Sequence, residues 1–266
     1  MLAQNLQTLC HIARAAGDAI MSVYADDTLA CWQKDDQSPL TEADFQADRI
    51  IVNGLQRHFP GTFILSEESR SAGTGMPKRF FLVDPLDGTK EFLKRNGEFT
   101  VNIALIEDER PIAGVVYAPA LATLYFAALN TGAWLEEQGQ ATRLHTGAHQ
   151  LPLRIVGSRS HGADKMEAWL QKLPCAHVFT GAGSSLKFCL IARGEADVYP
   201  RFGPTSQWDT AAAQCILEQA GGVVLDLHGQ PLRYGLHRPI LNPEFIALGD
   251  AARFDEQVKQ SFPWVC

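Results

Sequence analysis

The sequence predicts a mixed α/β (α+β) fold. Three observations carry this: two amphipathic helical repeats at the start, a following run of short apolar segments, and alternating strand-like and helix-like patterns from about residue 147 onward. Leu2, Leu6, Leu9, Ala13, Ala16, Ile20 and Val23 recur at steps of three and four, which predicts a helix over 4–24. After the polar, Pro-containing stretch Lys34 to Pro39, Thr41 and Asp44 have the spacing of a helix capping pair. Ala47, Ile51, Leu55 and Phe59 then share one face of a second helix, which Pro60 and Gly61 end. The period changes after that. TFILS (62–66), RFFLV (79–83), TVNIALIE (100–107), GVVYA (114–118), TLYFAAL (123–129) and GAWLE (132–136) are short and rich in aliphatic and aromatic residues, the pattern of a largely antiparallel sheet. RIVGS, ADKMEAWLQKL, VFTGA, SSLKFCLIARG, ADVYPRF, DTAAAQCILEQAGG and GVVLDLHG follow as alternating strands and helices of a second αβ unit. The polar, glycine-containing stretch 137–150 is the expected boundary, dividing an N-terminal α+β subdomain, 1–146, from a C-terminal αβ subdomain, 147–266.

Composition narrows the function classes. The 266 residues carry 23 Lys and Arg against 30 Asp and Glu, a net charge of -7, with 46% hydrophobic residues; this excludes whole-chain disorder. An acidic balance argues against sequence-independent nucleic-acid binding, which relies on Lys and Arg replacing counterions along phosphates. Tyr117, Pro119 and Thr123 interrupt even the apolar segment 112–129, so no transmembrane segment is expected. The N-terminus lacks a basic start and has Gly17 and Asp18 amid its apolar residues, unlike a signal peptide, which predicts a cytoplasmic protein. Six cysteines, at 10, 31, 175, 189, 215 and 266, are scattered without CxxC pairing and read as reduced, mostly buried thiols.

The chemistry concentrates in LVDPLDGTKEF (82–92), where an apolar strand ends in Asp84 and Asp87. Two carboxylates at the mouth of a buried strand repel each other and titrate above the usual carboxylate range unless a cation neutralises them. Oxygen-only ligands without His or Cys favour magnesium. Pro85 restricts the turn, while Gly88 permits close backbone approach and leaves the N–H groups of residues 88 and 89 for an anion. DPxDG alone is equally an ordinary Asp-Pro turn. Glu67 in SEE (66–68) and Asp209 in WDTAAA (208–213) also sit at element ends; singly they read as a solvated loop acid and a helix N-cap, and Thr41 with Asp44 as a capping pair.

In this order, EE, DPLDGT and WD resemble the magnesium-dependent, lithium-sensitive phosphatase superfamily of inositol monophosphatases, fructose 1,6-bisphosphatases and bisphosphate nucleotidases. The resemblance runs from the TEAD segment to Gly221 and Gly222. DGTKEFLKRNGEFTVNIALI (87–106) and GSSLKFCLIARGEADVYPRFGPTSQWD (183–209) look like the bacterial 3′(2′),5′-bisphosphate nucleotidase subfamily of the CysQ type, where inositol monophosphatases typically read DGTTNF. The resemblance implies a layered αβαβα sandwich with the site between subdomains and two or three magnesium ions. Glu67, Asp84 and the Leu86 carbonyl would hold one ion, and Asp84, Asp87 and Asp209 a second. Glu67 and the Thr89 hydroxyl would orient the attacking water with Asp44 behind Thr89, without a phosphoenzyme. Gly88, Thr89 and Asp209 would meet the substrate, Ser184, Lys187 and Arg201 would line the nucleotide pocket, and His161 would lie near the base or sugar.

The implied reaction removes the 3′-phosphate of adenosine 3′,5′-bisphosphate to give AMP in sulfur assimilation, with 3′-phosphoadenosine 5′-phosphosulfate as a second candidate substrate. The implied partner is this small molecule. A monomer and a homodimer both fit, as does peripheral attachment to the cytoplasmic face of the inner membrane, which no residue demands. The sibling activity, an inositol or sugar monophosphatase, is disfavoured by TKEF and LKFC. A non-catalytic nucleotide sensor is disfavoured because Glu67, Asp84, Asp87, Thr89 and Asp209 are all present. GAGSSLKF lacks both P-loop and GxGxxG spacing, and His145 with His149 has Gly147 between and no HExxH glutamate for zinc.

Overall fold

The structure is a computed structural model and describes residues 2–25, 31–33, 39–69, 77–148, 151–158, 163–173, 175–226 and 228–250. Helix α1 (Leu2–Tyr24) is followed by strands β1 (Cys31–Gln33) and β2 (Pro39–Thr41), helix α2 (Glu42–His58), and strands β3 (Phe63–Ser66) and β4 (Arg79–Asp87). A short helix α3 (Thr89–Leu93) leads to β5 (Thr100–Glu107), β6 (Arg110–Ala118), β7 (Thr123–Ala128), β8 (Gly132–Glu137) and β9 (Gln140–Leu144). The C-terminal part holds β10 (Leu153–Ser158), α4 (Ala163–Leu170), β11 (His177–Ala182), α5 (Leu186–Ala192), β12 (Val198–Arg201), α6 (Gln207–Gln219), β13 (Val223–Asp226) and β14 (Phe245–Leu248).

The expected period-three-and-four face of α1 is what buries it: Leu6, Leu9, Ala13, Ala16 and Ile20 are all in the core, against α2 and strands β5 to β7. The second helix starts where the capping pair places it. Strands β3 to β9 form one seven-stranded sheet in sequence order, antiparallel except for β3 against β4. Because side chains alternate along a strand, the sheet buries two faces. Ile64, Phe81, Val83, Val101, Ile103 and Val115 face α1 and α2, while Leu65, Phe80, Leu82, Ala104, Ile106 and Val116 face α5 and α6. The same inner cluster includes Val156, Tyr199, Val224, Phe245 and Ala247 from a second, five-stranded sheet of order β11-β10-β12-β14-β13. Met166 and Trp169 of α4 close the far face of that sheet over Leu153, Ile155, Val198 and Ile246. The layers are therefore helix, sheet, helix, sheet, helix: the αβαβα sandwich.

Three differences from the sequence reading have physical causes. The stretch 137–150 is not all connection: Gln140–Leu144 is the edge strand of the seven-stranded sheet, and an edge strand that buries only Leu144 carries no apolar alternation to read. Strand β4 continues past Val83 through both aspartates. The two-stranded pair β1 and β2 and the closing strand β14 were not anticipated, being three, three and four residues long. Cys10, Cys175, Cys189 and Cys215 are free thiols, and burial pushes the Cys10 thiol up to about 12. Among the described residues no helix is long and apolar enough to cross a membrane.

Candidate active site

Strand β4 delivers two acids through a bulge. It pairs with β5 as far as Asp84 opposite Asn102, drops Pro85 and Leu86 from the register, and resumes at Asp87 opposite Thr100. Pro85 has no N–H to give the ladder, so the interruption falls where pairing would fail in any case. Gly88 follows at φ 94°, a left-handed conformation that favours glycine, and starts α3. A Cβ at this position would lie 3.1 Å from the Glu98 carbonyl oxygen.

Helices α2 and α6 deliver the other two aspartates, and both do so through capping boxes. Asp44 is the third residue of α2 and its Oδ2 accepts from the Thr41 backbone N–H at 2.7 Å and the Thr41 hydroxyl at 2.6 Å. Its Oδ1 faces Thr89 Oγ1 at 3.3 Å. The cap and the predicted partner of Thr89 are thus one carboxylate using different oxygens. Asp209 holds the same place in α6, its Oδ2 accepting from the Ser206 N–H at 2.9 Å; the N-cap itself is Ser206, not Asp209.

The three predicted ligand aspartates share a pattern. Each has one oxygen occupied by its own neighbourhood: Asp84 Oδ1 by the Leu86 N–H at 3.1 Å, Asp87 Oδ2 by Ser185 at 3.1 Å and Asn102 at 3.3 Å, and Asp209 Oδ2 by Ser206. The second oxygen of each is left for something else. Burial first, then the fields of Glu67, Asp87, Asp209 and Asp44, push the Asp84 carboxyl well above its usual range. Asp209 is raised in the same way by burial and by Asp87. Burial also raises Asp87, against the pull of the Lys187 ammonium and of the Ser185 and Asn102 hydrogen bonds. Among the described residues no three His, Cys, Asp or Glu side chains close into a ready-made metal cage. Crowded carboxylates with oxygens to spare, and no His or Cys among them, nonetheless fit a hard divalent cation, which would relieve the repulsion.

A cavity of about 240 Å³ opens beside these acids and gathers Asp87, Gly88, Thr89, Ser184, Lys187, Arg201 and Asp209 on its wall. Asp84 lies behind the wall, buried, and Glu67 reaches it electrostatically after its backbone N–H has joined β3 to the Val83 carbonyl at 3.1 Å. The Leu86 carbonyl oxygen lies 3.3 Å from Thr89 Oγ1. Lys187 is buried, its Nζ 2.5 Å from the Ser184 carbonyl and 5.3 Å from the Tyr199 ring centre. Arg201 is held by the carbonyls of Gly203 at 3.0 Å and Pro204 at 2.6 Å. Ser184 sits at φ 44°, and its Oγ is buried with no hydrogen-bond partner among the described residues. His161 lies outside the described residues.

The sequence reading missed Asn102, Ser185, Tyr199 and Thr205. Asn102 had a visible signal, an amide inside the apolar run TVNIALI that is 1% exposed in the structure. Ser185 stood next to a residue that was chosen, and Tyr199 and Thr205 join the cavity only through the fold of β12 and the loop after it.

Residues 1–259 match the sequence profile of the inositol monophosphatase family. The 3′(2′),5′-bisphosphate nucleotidase CysQ of Salmonella typhimurium is 49% identical over 243 residues, 90% of this chain and 98% of that protein. The enzyme of the same name from Escherichia coli K12 is 48% identical over 244 residues, with the same coverage. Among solved structures, CysQ from Bacteroides thetaiotaomicron, described as a bacterial member of the inositol monophosphatase family, superposes with a TM-score of 0.78 at 38% identity, covering 92% of this chain and 97% of that one. SuhB from Bartonella henselae superposes at 0.81 with 25% identity, covering 98% and 97%. Full-length sequence similarity, the five-layered fold and the clustered acids agree: this chain belongs to the inositol monophosphatase family.

Proposed function

We propose that this chain is a 3′(2′),5′-bisphosphate nucleotidase that hydrolyses the 3′-phosphate of adenosine 3′,5′-bisphosphate to AMP and phosphate, serving sulfur assimilation in the cytoplasm. Its similarity to the named nucleotidases supports the subfamily. The observation that carries the substrate reading is the cavity wall, which two buried cations, Lys187 and Arg201, and Ser184, whose hydroxyl has no partner among the described residues, share with Asp87 and Asp209. A substrate with a second phosphate uses that wall, and an inositol monophosphate does not. The free thiols at Cys10, Cys189 and Cys215 suit a reducing compartment.

Glu67, Asp84, the Leu86 carbonyl, Asp87 and Asp209 would hold two or three magnesium ions, which supply, when bound, positive charge to the phosphoryl oxygens and an acidic water. The chain's own groups do the positioning. Thr89 Oγ1 is equidistant, at 3.3 Å, from Asp44 Oδ1 and the Leu86 carbonyl, and has one proton to give. With that proton donated to Asp44, Thr89 turns a lone pair to the attacking water and, with Glu67, fixes its approach. Ammonium has three donors and guanidinium five, so the carbonyls that hold Lys187 and Arg201 fix the side chains while leaving donors and net charge for phosphate. Burial lowers the Lys187 pKa to about 8, against the field of Asp87, and an incoming anion favours the charged form.

The first test is phosphate release from adenosine 3′,5′-bisphosphate and from inositol 1-phosphate in one magnesium buffer. A nucleotide preference of about a hundredfold in kcat/KM, roughly 2.7 kcal/mol of transition-state discrimination, is expected. Equal or reversed preference would assign the protein to inositol or sugar phosphates. Lithium is expected to inhibit. Lys187→Met should raise KM for the bisphosphate about tenfold, roughly 1.4 kcal/mol of lost binding, and raise KM for 3′-AMP much less. Equal increases would mean that Lys187 acts through Asp87 and not on the second phosphate.

A further inference from the structure

Four elements converge on the two ligand aspartates that come from different sheets' surroundings. Asp87 Oδ2, at the end of β4, is 3.3 Å from Asn102 Nδ2 on β5 and 3.1 Å from Ser185 Oγ at the start of α5. Asn102 Nδ2 also donates to Ser185 Oγ at 2.9 Å, and Ser185 Oγ lies 2.6 Å from the backbone carbonyl of Asp209 in α6. Thr100 Oγ1, on the other side of the amide, is 2.9 Å from Asn102 Oδ1. The carboxylate of Asp87 requires the NH2 end of Asn102 to face it, so this network orients the amide as well. Asn102 and Ser185 are each only 1% exposed, and a buried polar pair of this kind persists only when its partners satisfy it.

We propose that Ser185 and Asn102 are positioning residues that hold the Asp87 and Asp209 carboxylates in mutual register for the divalent cation, touching neither cation nor substrate. The inference rests on the cation-holding role given above to those aspartates. Its logic is that Asp87 Oδ2, once fixed by the Asn102 amide, leaves Oδ1 as the oxygen presented. Meanwhile the Ser185 hydroxyl fixes the backbone from which Asp209 projects. A serine proton can serve only one acceptor at a time. Donation to the Asp209 carbonyl leaves Asn102 as the donor to Asp87, so the two residues act as a unit and not as interchangeable spares. Ligands held by such supporting hydrogen bonds meet a cation without first losing their own rotational freedom, and removing a support typically weakens metal binding 10- to 100-fold.

The test is calorimetric titration of magnesium into the full-length, substrate-free protein, repeated with manganese and read by electron paramagnetic resonance. Ser185→Ala is expected to weaken cation affinity about tenfold, and Ser185→Thr, which restores the hydroxyl, to recover most of the loss. Unchanged affinity in Ser185→Ala overturns the proposal, even if the Tm falls, because Ser185 would then be packing alone. If Ser185→Ala does not melt cooperatively, Asn102→Ala, which removes the amide donor to Asp87 and keeps the Ser185 bond to the Asp209 carbonyl, carries the same two outcomes. Because no substrate is present, a wrong nucleotide assignment would appear separately, as poor turnover of adenosine 3′,5′-bisphosphate by the unaltered protein. Failure of the unaltered protein to bind either cation overturns both the cation reading and this one.

Discussion

Asp84→Asn is expected to leave less than about one part in a thousand of the unaltered kcat, on the order of 4 kcal/mol of lost barrier lowering. Asparagine keeps the shape and can still accept the Leu86 N–H with its remaining carbonyl oxygen, so the bulge survives while the anionic ligand is lost. In metal-free buffer the same variant should be more stable at neutral pH. The Asp84 carboxyl is raised in the folded protein by burial and by Glu67, Asp87, Asp209 and Asp44. A folded pKa above the unfolded value makes the native state the tighter proton binder, so stability is full below the unfolded pKa of about 4 and is lost as pH rises toward the folded one. The Tm advantage of Asp84→Asn should therefore be small near pH 4, grow toward pH 7, and shrink again with saturating magnesium. Near-normal turnover would sink the cation-assisted mechanism. A Tm advantage that did not change with pH would show that the acid's charge is not what burial penalises.

Gly114→Ala is expected to cost about 3 kcal/mol, the upper part of the range for overpacking, and to lower kcat at least tenfold. Gly114 lies mid-strand on β6, opposite Ala104 and Ala127, at ordinary φ, so the requirement is space and not conformation. A Cβ there would stand 2.3 Å from the Ala212 carbonyl oxygen and 3.0 Å from Ala212 C and Cα. These are backbone atoms of α6 and cannot swing aside like a side-chain tip, so the helix must lift from the sheet. Asp209 sits one turn earlier on that helix and must move with it. Chemical denaturation and steady-state kinetics on the same preparation check both halves. A variant destabilised but fully active would show that the first turn of α6 is anchored independently, through Gln207 to Gly235 and Pro239 and through Asn242 to Ser206.

The acids were legible in the sequence because each stands where a period breaks: Asp84 and Asp87 after an apolar strand, Asp44 and Asp209 at helix starts. For Asp44 and Asp209 pattern reading gives a cap and a candidate site acid at once, and the coordinates show which oxygen makes the cap bond. The helices and central strands were legible because burial on one or both faces writes itself into residue choice. Strand β9 was not, because its outer edge and most of its side chains face water and leave polar residues unconstrained. Asn102 and Ser185 were illegible as a pair for a different reason: 83 residues separate them, and nothing local in either segment announces the other. Lys187 and Arg201 came from the family resemblance, and their fixed orientation depends on carbonyls supplied by turns that no periodicity describes.

The layering also sets an order of events during synthesis. The inner face of the seven-stranded sheet exists once Leu144 has been made, but α6, which covers it, begins only at Gln207. About sixty residues lie between, roughly 3–12 s of translation at ~5–20 residues per second. For that interval the nascent chain carries an uncovered aliphatic surface and four of its five crowded acids without the fifth, Asp209. A ribosome stalled before residue 207 would display a chain whose α1 and α2 can cover one face of the sheet while the inner face, and the candidate site that needs Asp209, stay incomplete.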